Sequence, residues 1–496
     1  MPFINFLLQH QDRWPVRLLL FLACVAVGLA FGVFVAALTP LKAAAVIGGL
    51  AAGLVLLTSM GWGLTALVGV ICLLPFAAIP VRIGFYPTFL DAILVVLFLV
   101  WGFRLMTRAE DRLIRSPLDA PVLIFMGLAV ISFVLGTGYA VNATILRRFA
   151  DVLLAIALYF VVVNTVRTPE HLRRLTILLI LGGCGAAIIA TVLYALPTHL
   201  TVQLLGYLRV LHYFPAGSVV LRYIEDNPSL PLRATGTAND PNVLGGLLLL
   251  TMALATSQLF SPRPVLRRLY IAPMLALMGL CMLLTFSRGS WIGLAAAVFL
   301  IGTAIDRRVP GPGLTGWLVF LGGAVVLLLL PQTQVFISHL ISGLQVQDKA
   351  AAMRLGEYKD ALRLIARYPW FGVGFGAAPT IDLYIGVSNV YMLIAEEMGL
   401  IGLGAFLMAM AVFGWRSFQS WRQASDPQVR SILVGAAGGI AGGLVAGLFD
   451  HYFFNMDFPH MIALFWLVVG LAMAATRLSR GEEGFTAWKV ASLGSP

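Results

Sequence analysis

Charge is what this sequence has least of. Only 11% of its 496 residues are Asp, Glu, Lys or Arg, against roughly a quarter in a soluble domain. With 60% hydrophobic residues and a mean hydropathy of +0.94, that shortage excludes an ordinary soluble domain. Cysteine is scarce too. Cys24, Cys72, Cys184 and Cys281 all fall inside apolar runs, where each reads as a small core residue. None has zinc-ligand spacing or an evident disulfide partner. The formal net charge is +11, but the basic residues sit in short clusters between apolar runs. That scatter argues against a nucleic-acid partner and fits orientation in a bilayer.

What the chain has is apolar runs. Hydropathy predicts spans near 17–38, 43–59, 62–80, 88–106, 119–137, 150–166, 175–196, 242–261, 268–286, 289–305, 314–331, 389–414, 431–449 and 460–477. The neighbours 43–59 and 62–80 are close enough that one of them is a re-entrant candidate, so the count is twelve to fourteen. The first run is too long for a signal-peptide core and lacks a convincing cleavage site, and it reads as a retained anchor. The expected fold is an all-α, polytopic transmembrane helical bundle forming one membrane domain, 1–496. It would carry a first outer loop at 197–241, a long outer loop with an amphipathic helix at 332–388 and a cytoplasmic tail at 478–496. With the N-terminus inside, 20 of the 33 Lys and Arg fall on the cytoplasmic side, so the positive-inside rule predicts both termini there. The outer remainder gathers mostly in the two long loops, which suggests an anionic ligand on that face.

Several segments carry chemistry. Between Leu269 and Ile305 the only charged residue is Arg288, so this stretch is long enough to cross, turn and cross back. The turn at Thr285-Phe286-Ser287-Arg288-Gly289-Ser290-Trp291 puts a guanidinium at the mouth of a hairpin. Such a residue needs a phosphate, a carboxylate or water; snorkelling to the outer headgroups is the plainer alternative. In Arg233-Ala234-Thr235-Gly236-Thr237-Ala238-Asn239-Asp240-Pro241-Asn242, Asn239 or Asp240 caps a helix and Pro241 fits its first turn. Free amides there favour an anion, with Arg233 close by; a well-capped helix with a solvated arginine explains the segment equally well.

Farther on, Met353–Tyr368 reads as an amphipathic helix bearing Arg354, Lys359, Arg363 and Arg367, able to lie on the membrane surface. The following Gly372-Val373-Gly374-Phe375-Gly376 lacks a preceding strand and a following Lys-Ser/Thr, so it reads as a flexible turn and not as a nucleotide loop. Ser388-Asn389-Val390-Tyr391 leads into a span containing Glu396 and Glu397, acids that need a cation or a wet cavity. An outer arginine is the expected partner for Glu397. The loop Asp450–His460 sets His451 beside an acid that can orient it as a base, with interfacial anchoring by its aromatics as the alternative.

In this order, these segments resemble the O-antigen ligase and Wzy-type O-antigen polymerase superfamily. The matching pieces are Arg233 with Gly236–Asn242, the Thr285–Gly289 turn, Arg354 with Pro369–Gly374, and Asn389-Val390-Tyr391 with Glu397-Met398-Gly399. The resemblance covers roughly residues 230–475; the N-terminal half matches only as hydropathy. It implies a type C glycosyltransferase-like fold that needs no metal, nucleotide or other cofactor. The implied partners are the lipid bilayer, a polyprenyl-pyrophosphate-linked glycan as donor and a glycan or lipid-linked acceptor. The implied place is the outer face of the cytoplasmic (inner) membrane, in cell-surface polysaccharide synthesis.

By the same resemblance, Arg233 and Arg288 bind the pyrophosphate and stabilise the leaving group, Arg354 contacts donor or acceptor, and Asn389 belongs to the binding set. One departure stands out: the family has His-Asn where this chain has Ser388-Asn389, and that histidine is the family's proposed base. Glu397 and His451 are the leading replacements, with Asp382 a third. Two other readings stay open. A small-anion transporter would place ionisable groups near the midplane, and an inactive glycolipid-binding subunit would bind without turnover.

Overall fold

The computed structural model describes residues 53, 59–80, 84–107, 112–136, 142–213, 220–306, 349–375, 387–480 and 487–489. The spans expected at 17–38 and 314–331, nearly all of 43–59, Asp382 and much of the long outer loop lie outside the described residues. The chain divides into two compact units, Met1–Trp62 and Gly63–Pro496; the architecture below is that of the second.

Its helices start where capping residues allow. Following α1 (Met60–Leu73), Thr88 and Asp91 cap each other's backbone amides at the head of α2 (Phe89–Met106), a capping box. After α3 (Asp119–Gly136), Asn142 caps α4 (Ala143–Thr165). Three helices begin with a cap followed by proline: Thr168 before α5 (Pro169–Ala195), Asp240 before α7 (Pro241–Leu259) and Asp426 before α12 (Pro427–Ala446). Proline suits that position because its missing amide would be unsatisfied there anyway. The remaining helices are α6 (Thr198–Tyr207), α8 (Arg268–Leu284), α9 (Arg288–Asp306), α10 (Lys349–Arg367), α11 (Val390–Gln423) and α13 (Pro459–Arg480). Among the described residues, α2, α3, α5, α7, α11, α12 and α13 are long and apolar enough to cross a membrane, and α1, α8 and α9 are shorter apolar helices. The chain is a polytopic helical membrane protein.

Burial sorts these helices. α7 and α13 are almost entirely enclosed, whereas α2 and α3 turn most of their length outward, with Leu99, Phe103, Leu123 and Val134 exposed. Around the enclosed pair, α12 packs on α7, α9 and α13, and α4 packs on α13. Gly293 of α9 and Gly442 of α12 meet backbone to backbone. Such close approach is available only to small residues, and it is a favoured contact where lipid supplies no hydrophobic driving force.

Strand structure is minor. β2 (Arg222–Tyr223) pairs with β3 (Leu232–Arg233) inside the expected first outer loop, which also holds α6. β1 (Arg112–Ile114) pairs with β4 (Ala487–Lys489), so the C-terminal segment returns to the α2–α3 connection.

Contacts between helix ends show which ends lie together. One end of the bundle therefore collects the starts of α2, α4, α7, α9, α11 and α13 and the finishes of α3, α5, α8 and α12. The segment expected as a flexible turn is tightly packed at this end. Val373 and Gly374 donate their amides to the Glu396 and Glu397 carbonyls at 2.8 and 3.0 Å, and Leu400 donates back to Pro369 at 2.7 Å. The Ser132 hydroxyl of α3 reaches the Phe371 and Glu397 carbonyls. α11 kinks here at Gly399 (φ 69°), a left-handed conformation that favours glycine. A side chain on Gly399 would strike the Trp370 backbone, and one on Gly372 would strike that of Glu396–Glu397. The glycines thus serve close approach and not looseness.

Candidate functional site

The site is assembled at that same end. β3 delivers Arg233, and the Ala234 amide donates to the Leu284 carbonyl at 2.8 Å, tying the strand to the finish of α8. The cap of α7 is Asp240, which accepts from the Asn242 and Val243 amides at 2.7 and 3.1 Å. Asn239, the other cap candidate, instead takes a left-handed turn conformation (φ 60°). The Arg233 guanidinium donates through Nε to the Thr285 carbonyl at 2.8 Å and through Nη2 to Asn242 Oδ1 at 2.7 Å. These acceptors are neutral, so the cation is fixed but not cancelled.

The α8–α9 turn gives Arg233 its seat. Phe286 has φ 52°, and Trp291 Nε1 donates to the Met282 carbonyl at 3.0 Å. Ser287 and Ser290 hydroxyls bond each other at 2.9 Å, with Tyr452 at 3.4 Å from Ser290. Arg288 follows as the first residue of α9, at the positive end of the helix dipole.

The charges act on one another. Burial lowers the Arg233 pKa to about 10, Asp240 and Asp450 raise it, and Arg288 and Arg354 lower it further. The guanidinium nevertheless stays protonated at neutral pH. Burial likewise raises the Asp450 carboxyl above its ordinary value, opposed by His451 and Arg354. Three arginines from three separate segments therefore lie within electrostatic reach of two aspartates.

A histidine lies on the same rim. The His451 main-chain amide donates to Asp450 Oδ1 at 2.8 Å, and its Nδ1 is 3.0 Å from the Val387 carbonyl. A carbonyl can only accept, so Nδ1 donates to it, and in the neutral ring the lone pair lies on Nε2. The ring lies nearly parallel to Phe458 at 6.4 Å. Val387 immediately precedes Ser388, so His451 is attached beside the position that holds histidine in the family resembled.

Asn389 is engaged by the protein at both ends of its amide. Oδ1 accepts from the Tyr391 and Met392 amides at 2.9 and 3.0 Å, and Nδ2 donates to the Leu448 carbonyl at 3.0 Å. It joins the start of α11 to the loop that carries His451.

Two residues escaped the sequence reading. Glu357 Oε2 accepts the Ser388 amide at 3.0 Å, and the Tyr358 hydroxyl donates to the Leu448 carbonyl at 3.3 Å. Both lie on α10, which they fasten over the start of α11. Their spacing from Arg354, three and four residues along one helix, was the available signal, since it sets all three on one face.

Glu397 is placed elsewhere. It lies eight residues along α11 from Asn389, about 12 Å at helical rise, and is 4% exposed. Among the described residues the expected pairing with an outer arginine is not formed, and its Oε2 is buried without a hydrogen-bond partner. The structure gathers Arg233, Arg288, Arg354 and His451, adds Asp240 and Asp450, and leaves Glu397 deeper in the bundle.

Fold and site together define a helical membrane protein with arginines, aspartates and a histidine clustered at one end. Residues 273–407 match the O-antigen ligase family, which supports the resemblance read from the motifs. Arg288, Arg354, Ser388, Asn389 and Glu397 fall inside that stretch; Arg233 and His451 flank it. Over 346 residues the chain is also 25% identical to an O-antigen ligase of Pseudomonas aeruginosa, covering 66% of this chain and 80% of the relative.

Proposed function

We propose that this protein is a metal-independent glycosyltransferase of the O-antigen ligase or polymerase type. It transfers a glycan from a polyprenyl-pyrophosphate carrier to a lipid-linked or glycan acceptor on the outer face of the cytoplasmic membrane, with both termini inside. The observation that carries the reading is the attachment of His451 to the Val387 carbonyl, which supplies an oriented imidazole beside Ser388. The cluster of Arg233, Arg288 and Arg354 supports it from the donor side.

In this reading the acceptor hydroxyl gives its proton to His451 Nε2 while its oxygen attacks the anomeric carbon. The bond from that carbon to the pyrophosphate oxygen breaks, and the electron pair leaves on the phosphate. Attack opposite the leaving group inverts the anomeric configuration. Arg233 and Arg288 stabilise the charge that develops on the departing oxygen, a task suited to donors already fixed in place. Arg354 contributes from α10. Asn389 positions the start of α11, and Glu397 is not assigned a step.

The test is transfer from a purified polyprenyl-pyrophosphate glycan in liposomes with candidate acceptors. Turnover by wild type, lost in Arg288→Ala and in His451→Gln, is the expected result. Turnover that survives His451→Gln unchanged overturns the assignment of the base. Donor binding without turnover in wild type, but with turnover in Ser388→His, identifies a binding protein that has lost its base.

A further inference from the structure

Resting on the donor reading above, we propose that Arg222 is a further binding residue for the donor's diphosphate, set opposite Arg233 across the β2–β3 hairpin. The two arginines are register partners in that antiparallel pair. Partners directly opposite each other project their side chains to the same face, with Cβ atoms about 4.5–5.5 Å apart, and like charges so placed are destabilising. An anion between them removes that penalty.

The surroundings fit such a ligand. Arg222 and Arg233 line one small, partly open cleft together with Tyr194, Thr201 and Thr235. Among the described residues Arg222 makes no ion pair, and its Nε is buried without a hydrogen-bond partner. A buried guanidinium N–H with no acceptor is rare in a finished fold and needs an explanation. A phosphate oxygen is the acceptor that the guanidinium fork matches best.

Charge number selects among anions. Arg288 and Arg354 also act on Arg233, as do Asp240 and Asp450, so a ligand bridging Arg222 and Arg233 enters the field of four guanidiniums set against two carboxyls. A diphosphate matches that field better than a single carboxylate. The inference extends the site from the α8–α9 turn into the first outer loop.

The experiment uses the full-length protein in nanodiscs and measures farnesyl diphosphate affinity together with thermal unfolding of the ligand-free protein. Arg222→Ala should weaken binding about tenfold and leave the unfolding temperature unchanged or raised, because a like-charge pair has been relieved. Arg222→Lys should retain part of the affinity. Arg222→Gln serves if the alanine variant does not fold, with the same expectation. Wild-type affinity in Arg222→Ala or Arg222→Gln, alongside weakened binding in Arg233→Ala, overturns the proposal and leaves the donor reading standing. A fall in unfolding temperature with unchanged affinity also overturns it by making Arg222 structural. Unchanged affinity in every variant, Arg233→Ala included, defeats the donor reading itself.

Discussion

Two groups of arginines occupy the same end of the bundle, and they are held in opposite ways. Arg147 Nε lies 3.0 Å from Asp91 and 3.4 Å from Asp151, and Arg148 Nη1 lies 2.5 Å from Asp457. Arg233, by contrast, is seated on two backbone carbonyls and an asparagine oxygen. Carboxylates cancel the first group; neutral acceptors orient Arg233 without removing its charge. All count equally toward a basic outer face in sequence, yet of these three only Arg233 is held without a carboxylate in direct contact.

The comparison can be broken most directly by exchanging alanine for one residue of each group. Arg288→Ala should lower glycan transfer by about 10³-fold, as expected for loss of a fixed charge-stabilising donor, measured in reconstituted liposomes. Arg147→Ala should instead leave donor affinity near wild type and destabilise the fold by about 3 kcal/mol, because two buried carboxyls, Asp91 and Asp151, lose their cation. Similar activity losses in both variants would erase the distinction. His451→Gln should cost about 10²-fold in transfer with donor affinity retained, separating proton removal from anion binding.

Smaller effects sharpen it. Asn389→Ala removes a cap worth about 1 kcal/mol and should lower the unfolding temperature while reducing transfer less than His451→Gln does. Asp450→Asn tests the carboxylate next to the cations. Its pKa is raised in the fold, so the folded state holds the proton more tightly than the unfolded one. Wild-type stability should therefore fall as pH rises from about 3.9 through the raised value, and stay level above it. The variant should lack that leg, with its advantage greatest at neutral pH and gone in acid. Arg148→Ala, at an exposed pair, should change stability by less than about 1 kcal/mol.

Much of this was legible in the sequence, for a physical reason. Arg288 interrupts an apolar stretch long enough for two crossings, so its place at a hairpin mouth followed from the cost of burying a charge. Asp240-Pro241 announced a helix start because caps and proline act locally. The contacts that finish the site are not local. Glu357 meets the Ser388 amide 31 residues away, and His451 meets the Val387 carbonyl 64 residues away; no spacing rule links them.

The Gly372–Gly376 run misled for a related reason. Glycine permits both freedom and close approach, and only the neighbouring chain decides which applies. Glu397 misled differently: a pairing with an outer arginine was expected, but about two helical turns separate the acid from the start of α11.

The anchoring of α10 has a consequence for how this protein is altered, in evolution or by design. The helix is bolted to the start of α11 through Glu357 and to the Leu448 carbonyl after α12 through Tyr358, and its exit is locked against the Gly399 kink through Pro369 and Gly374. Its outer side, with Leu355, Leu362 and Arg363 exposed, bears none of those fastenings. Substitutions on that exposed side are therefore free to accumulate on one face of a single helix while the contacts that hold the helix stay intact.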